Sequence, residues 1–426
     1  MEEYYFSLVR NTDVILLFLS VLLGFTIIIY ALINKWFVGA RRQRLYHMMS
    51  VLQTLAFKDD ASLVNGCTRV MRQASFFEFS DILKRQSKIL PGKFSNQLMK
   101  CITDSGKIPG IEKIAKNSKR KWRRIEAIIM LGYLNSANAL GILEQSLYNR
   151  DNDIAYFSLV SLGNIRNEES ARILLSNINN KAFSSYKIVS LLENFPLNIV
   201  ELLIKSLEDK DYNLRLWSIR LIARFKPKQY AKRISDFIYD PSADIRAAAC
   251  ECLGEIGADD FKEAMQKCLG DLTWYVRLQA VMALEKIFKA KSVVDIAPLL
   301  KDTQWFIKEK VKEIMIKYFS ESLVFIERFL LEENQYVKDS CVEIMDGSGF
   351  RKKILDDVIS EDIKTREKAQ VWLKTMIKAG AHFGLGGILS EYSPDIRQKI
   401  LNAIATVDRD KADQIGKRFS STVLGN

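Results

Sequence analysis

"YDPSADIRAAACECLGEIG", residues 239–257, is the stretch whose reading decides the fold. It opens on an acid suited to turns, Asp240, runs through Asp244-Ile245-Arg246, places a small residue at Ala249, and ends Leu253-Gly254-Glu255-Ile256-Gly257. Taking Arg246 as a reference, matching positions fall at Arg124, Ala155, Ser185, Arg215, Arg277, Lys308, Lys338, Arg366 and Arg397, at intervals of 28 to 31 residues. Three residues after the reference stands Ala127, Ser158, Ile188, Ser218, Ala249, Ala280, Val311, Cys341, Ala369 or Ile400. Seven after it stands Leu131, Leu162, Leu192, Ile222, Leu253, Leu284, Met315, Met345, Leu373 or Ile404. Spacings of three and four lie on one face of a helix, so this segment recurs as a helix along most of the chain. The mostly small first column lets two helices approach closely, and the larger second column fills the layer between them.

Six residues before the reference stand Asn149, Asn179, Asp209, Asp240, Asp271, Asp302, Glu332 and Glu391, with serine at Ser118 and Ser360. Asp and Asn side chains accept backbone hydrogen bonds in turns and at helix starts, so the column marks the turn that leads into each helix. Between these helices lie further apolar-periodic segments: 139–147, 199–207, 260–269, 293–300 and 322–331. Each repeat is therefore two short helices that cannot bury their apolar stripes alone and must stack.

The pattern Asp240, Asp244-Ile245-Arg246, Ala249, Leu253-Gly254, Ile256-Gly257 resembles the HEAT repeat family, specifically the short HEAT-like repeats first noted in phycobilin lyases. The resemblance covers about residues 119–410 in nine or ten units, strongest at Asp240–Gly257 and Asp271–Ile287. Tetratricopeptide and ankyrin repeats have similar periods, but their signature patterns are missing. The resemblance implies an all-α solenoid that binds partners along a concave surface, and it implies no particular chemistry. It also implies that the repeat arginine pairs with the acidic turn residue of a neighbouring unit. Arg215, Arg246 and Arg277, with Asp209, Asp240 and Asp271 in step with them, would then form a ladder that sets the stacking register.

Composition agrees with this architecture. At 426 residues the chain exceeds the size at which one compact core is the default, and only 7 Pro and 20 Gly punctuate it. Cys67, Cys101, Cys250, Cys252, Cys268 and Cys341 show no C-x-x-C spacing and read as reduced, partly buried thiols of a cytosolic setting.

Val14–Ile33, "VILLFLSVLLGFTIIIYALI", carries no charge over twenty residues, enough to span the hydrocarbon core as a helix. Trp36 and then "ARRQR" follow it, whereas Arg10 is the only basic residue before it. By the positive-inside rule, the N-terminus lies outside an inner (plasma) membrane and the rest in the cytoplasm. The expected organisation is a short extracytoplasmic segment 1–13, a transmembrane helix 14–34, a membrane-proximal helical cap 35–118, the repeat solenoid 119–410 and a tail 411–426. An uncleaved export anchor, with the large domain outside, is the alternative topology.

Two surfaces stand out. The first is basic: Arg41, Arg42 and Arg44 beside the span, and Lys119, Arg120, Lys121 and Arg123 at the first repeat. With Trp36 and the net charge of +12, they suit contact with anionic lipid or an acidic partner, although a solvated helix start explains the first repeat's charges equally simply. No DNA-reading motif is present, and no nucleic-acid partner is expected. The second is aromatic: Trp274-Tyr275, Trp305-Phe306 and Tyr336 recur at one turn of adjacent units. They either bury against the neighbouring turn or stand out as a partner-binding ridge.

Catalytic patterns are sparse. His47 and His382 are the two histidines, and neither has metal-ligand spacing around it. Gly384, Gly386 and Gly387 lack the strand and the Lys-Ser/Thr of a phosphate loop and fit a helix connection better. The expectation is a non-enzymatic, membrane-anchored adaptor without cofactor or metal. Bacterial membrane-anchored proteins of similar HEAT-like layout are often associated with membrane glycosyltransferases of polysaccharide synthesis and secretion, so the resemblance implies an integral-membrane glycosyltransferase as partner. A signalling or trafficking scaffold, and a HEAT-like lyase or DNA-glycosylase type of enzyme, are the alternatives.

Overall fold

The computed structural model describes residues 2–54, 61–86, 93–134 and 136–423. The described residues are helical and contain no strand, and the fold is an all-α solenoid of two-helix HEAT-like repeats preceded by an apolar helix. By its contacts the chain forms two compact units, 1–199 and 200–426.

The first unit contains α1 (Glu2–Thr54), α2 (Ala61–Gln73), α3 (Phe76–Gln86), α4 (Lys93–Asp104), α5 (Ile108–Asn117), α6 (Lys121–Leu134), α7 (Ala139–Leu147), α8 (Asn152–Ile165), α9 (Glu168–Ser176) and α10 (Ser185–Leu192). The apolar span and the basic segment after it, which the sequence divides between a membrane helix and a cap helix, form one continuous helix in α1. No proline interrupts this stretch, so nothing forces a break. Its second half packs against α2 and α3 and buries Leu45 there. The repeats begin where α6 packs on α5 and α8. A Cβ on Gly132 would lie 2.8 Å from that of Ser161, and one on Gly163 would lie 2.9 Å from Leu191, so glycine at these positions sets how closely successive helices approach.

The second unit contains α11 (Val200–Ser206), α12 (Tyr212–Phe225), α13 (Ala231–Ser235), α14 (Ala243–Ile256), α15 (Lys262–Cys268), α16 (Trp274–Phe288), α17 (Val293–Ile296), α18 (Trp305–Lys317), α19 (Phe319–Leu330), α20 (Gln335–Gly347), α21 (Phe350–Asp357), α22 (Ile363–Lys378), α23 (Leu385–Leu389), α24 (Pro394–Val407) and α25 (Arg409–Val423). The even-numbered helices α12 to α20 lie side by side in order, and the shorter ones connect and cover them. The small column is wholly buried at Ala249, Ala280, Val311 and Cys341, and the large column at Leu253, Leu284, Met315 and Met345. At Gly254 a Cβ would stand 2.9 Å from the Ala283 Cα, closer than side chains tolerate. The segment 293–300 is only partly α-helical, because it passes into a tighter 3₁₀ turn at Ala297–Lys301 around Pro298, which has no N–H to continue the ladder. Gly257 closes α14 at φ 72°, a left-handed conformation that glycine adopts without steric cost.

Candidate functional site

The turn column has one geometry in successive repeats. Asp209 Oδ1 accepts the amide of Asp211, Asp240 Oδ1 that of Ser242, Asp271 Oδ1 that of Thr273 and Asp302 Oδ1 that of Gln304, each at 2.8 Å. Asn149 does the same for Asp151 at 3.0 Å. The reference arginine then reaches in two directions. Arg246 Nη1 donates to the carbonyls of Asp240 and Pro241 at 3.0 and 3.1 Å, clasping the turn that opens its own helix. Its Nε and Nη2 fork onto Asp271 of the next turn at 2.7 and 2.9 Å. Arg277 repeats both contacts, donating to the Asp271 and Leu272 carbonyls and to both Asp302 oxygens at 2.7 Å. Arg215 clasps its own turn and approaches Asp240 at 3.8 Å. The Arg246 guanidinium holds the Asp271 carboxyl below its ordinary range. At Asp302 burial is the largest influence and pulls the other way, but Arg277, the Gln304 amide and Lys308 together outweigh it, so that carboxyl is also lowered.

These turns carry the aromatic column outward, because its members occupy the first turn of each helix, two or three residues ahead of the reference Arg277, Lys308 or Lys338. Trp305 and Phe306 are 59% and 58% exposed, and Trp274 and Tyr336 are each 38% exposed. Tyr275 is half-buried. The Trp274 and Phe306 rings stack at 5.7 Å with an interplanar angle of 21°, and Trp305 meets Phe306 edge-on at 5.2 Å. Lys308 Nζ sits 3.7 Å above the Tyr336 ring. The alternative of burial against the neighbouring turn therefore does not describe Trp305 and Phe306. Further residues extend the ridge: Leu272 is 99% exposed, and Tyr212, which holds the position of Trp274 in an earlier repeat, donates to Asp244 at 2.5 Å. The Tyr212 and Tyr275 hydroxyls hold the Asp244 carboxyl below its ordinary range. The aromatic pattern in the sequence pointed to neither Tyr212 nor Asp244, because the repeat between Tyr212 and Trp274 has Ala243 and Asp244 at that turn, which breaks the run of aromatics in adjacent units.

The basic residues divide. Trp36, Arg42 and Arg44 are exposed on α1, and Arg44 Nε stands 3.4 Å from Glu78. The side chain of Arg41 lies outside the described residues. Lys119, Arg120 and Arg123 are exposed, and Arg123 lies 5.2 Å from the Phe76 ring centre. Lys121 is instead held by Asp151 and Asp153 at 2.9 and 2.6 Å, and both carboxylates raise its pKa. Among the seven basic residues singled out, Lys121 therefore acts first as an internal tie.

At the C-terminal ends of the second-unit helices, away from the first turns that bear the ridge, ion pairs link residues one repeat apart. Glu255 takes Lys226 at 3.0 Å and also Lys286, and Lys317 takes Glu285 at 2.7 Å. The glycine-rich connection wraps a residue the sequence did not flag. Arg351 is 1% exposed, donates to the Phe383 carbonyl at 2.8 Å and lies 3.2 Å from Asp346. Gly384, at φ 82°, leaves room for that guanidinium. All six cysteines are free and buried. Burial pushes the Cys67 thiol up to about 11 and Cys341 to about 12. Among the described residues no three of His, Cys, Asp and Glu cluster as metal donors.

The family model for HEAT repeats matches residues 200–285, which hold the best-formed clasped turns. Solved structures similar to the chain include an engineered protein, at 13% identity and TM-score 0.29, covering 85% of this chain and 99% of that one. The complex of CpcE and CpcF of phycocyanin lyase from Nostoc sp. PCC7120 is 17% identical, with TM-score 0.30, over 54% of this chain and 96% of that one. The karyopherin Kap121p is 11% identical, with TM-score 0.38, over 88% of this chain, which spans about half, 51%, of the karyopherin. No curated protein matches the sequence.

Proposed function

We propose that this chain is a non-enzymatic, membrane-tethered interaction scaffold. In this reading α1 crosses the bilayer with its N-terminus outside, 35–118 forms a membrane-proximal cap, and the repeats of 119–410 present a protein-binding surface in the cytosol. The observation that carries it is the exposed aromatic ridge of the second unit, where Trp305 and Phe306 remain more than half exposed although stacked and held on rigid turns. Large rigid aromatics at a protein surface are the residues most enriched in binding hot spots. Support for the anchor comes from Leu19–Val51, a helix long and apolar enough to cross a membrane, none of whose apolar window is buried in the protein. The Arg–Asp pairs serve as the ladder that fixes the spacing of the ridge. The partner is proposed to be an integral-membrane glycosyltransferase of polysaccharide synthesis or secretion, which rests on the protein's layout alone.

A photo-crosslinking amino acid placed at Trp305, in the full chain in its native membrane, tests this. The expected result is one crosslinked protein, lost when Phe306 is changed to Ala and absent when the crosslinker sits at Val371 on α22. Mass spectrometry then decides whether that protein is a glycosyltransferase. Equal, diffuse crosslinking from both sites would remove the ridge as a binding surface.

A further inference from the structure

Three helices of the first unit run in one direction. Arg44 meets Glu78 near the start of α3, while Arg85 near its end shares a cleft with His47, Met49 and Ser50, so α3 runs parallel to the second half of α1. Arg123 lies over Phe76, and Glu126 takes Ser80 and Lys84, so α6 runs parallel to α3. The starting ends of α3 and α6 therefore both point back along α1 toward its apolar half.

Arg44 lies eleven residues beyond Ile33, which at helical rise is roughly 16 Å. The Phe76 end of α3 and the 118–123 turn lie closer to the apolar segment than that. The headgroup layer extends roughly 5–8 Å past the hydrocarbon, and charges act over a Debye length of about 8 Å, so this end of the unit is within reach of the lipid surface.

Its chemistry fits such a surface. Trp122 is 70% exposed and Phe77 49% exposed, beside exposed Lys119, Arg120 and Arg123. The nearby carboxylates are already engaged: Glu78 by Arg44 and the Ser75 amide, Glu126 by Lys84 and Ser80, and Asp151 and Asp153 by Lys121. What remains is positive charge around an indole that can sit among headgroups.

We propose that the Phe76–Phe77 end of α3 and the Lys119–Arg123 turn form a second membrane contact, which seats the first unit on anionic phospholipid headgroups. This rests on the reading that α1 crosses the bilayer. With a helix as tether and the patch as a seat, the unit would be held at a fixed orientation, since a second contact away from α1 restricts its rotation and tilt about that helix.

The test uses the full chain, carrying an environment-sensitive fluorophore on Asn117→Cys, in vesicles of phosphatidylcholine alone or with about 30% phosphatidylglycerol, a composition that gives a negative surface potential. The expected result is a blue-shifted, several-fold brighter signal only with the anionic lipid. It should be reversed by high salt and lost in the combined Lys119→Glu, Arg120→Glu, Arg123→Glu variant. Trp122→Ala, with an unaltered circular dichroism spectrum, should weaken it partially. Identical signals in both lipids would overturn the proposal, as would a signal that appears only in native membranes on contact with an acidic protein. Alkaline carbonate extraction separates the two readings. A chain that resists extraction but shows no lipid dependence loses the seat and keeps the anchor, whereas a released chain loses the anchor.

Discussion

Within the second unit, the repeats from Asp209 to Asp302 and those from Glu332 to Glu391 carry the same columns but are fastened differently. In the former, arginine forks onto the next aspartate while clasping its own turn. At the junction between them, the Asp302 repeat has Lys308 in the arginine position, which turns onto the Tyr336 ring, and Glu332 of the following turn is taken by Lys301 at 2.6 Å. Asn334 takes over the capping of α20, at Val337. Further on, Arg366 still donates to the Ser360 carbonyl at 3.0 Å, but Glu391 is held by Lys352 at 2.6 Å. The difference shows that the clasp needs a planar fork and a short acid. An ammonium offers three donors from one point, against the four bonds that Arg246 makes from three nitrogens, and the extra methylene of glutamate carries its carboxylate away from the turn amide. The ridge is broadest where the two fastenings meet, at Trp274, Trp305 and Phe306.

The comparison breaks most visibly at a well-formed clasp. Arg246→Ala leaves Asp271 half-buried without its fork and frees two turn carbonyls, and should cost about 3 kcal/mol locally. Lys308→Ala should cost less than about 1 kcal/mol, because a single cation–ring contact is lost. Hydrogen exchange of the full chain in detergent, read over 240–275 and 303–337, measures both, and equal losses would erase the distinction. Gly254→Ala comes next, at about 2 kcal/mol, because its Cβ would meet the Ala283 backbone and α14 and α16 would have to separate. The same exchange measurement should place that loss on both helices.

How far the fold was legible follows from which features recur. The small and large columns could be read because every repeat needs them, and the turn acids because one short acceptor side chain serves the same amide each time. The apolar segment 139–147 matches α7 to the residue, since no proline interrupts it. Features that occur once were not legible. Arg351 belongs to no column, so nothing in the sequence distinguishes a wholly buried guanidinium from a solvated one. The first-turn aromatics could be located, but their exposure depends on where the next turn ends. The unbroken course of α1 through Arg42 and Arg44 was hidden because charge after an apolar run marks an interface, not a helix end.

Acid sharpens the comparison next. Asp271 and Asp302 have folded pKa values below the ordinary carboxylate value of about 3.9, so their pairs contribute stability that is full above about pH 4. That contribution is lost as pH falls through the lowered folded values. Exchange protection at the two turns should therefore drop below about pH 4, and Asp271→Asn should flatten the drop at its own turn. An unchanged profile in that variant would mean that the carboxylate contributes nothing beyond its turn hydrogen bond.

The smallest effect belongs to a repair. Replacing Lys308 by Arg and Glu332 by Asp restores the residue types of the well-formed clasp at the junction where it stops. If side-chain geometry alone ends the ladder, the double variant should gain roughly 1 kcal/mol of protection over 303–337, more than the two single changes together. The same substitution draws Lys308 away from the Tyr336 ring, so it separates fastening from the ridge. Stronger exchange protection with weaker crosslinking from Trp305 would show that the lysine is kept for the aromatic surface at some loss of register. A gain in both would show that Trp305 and Phe306 need only the rigidity of the turns beneath them.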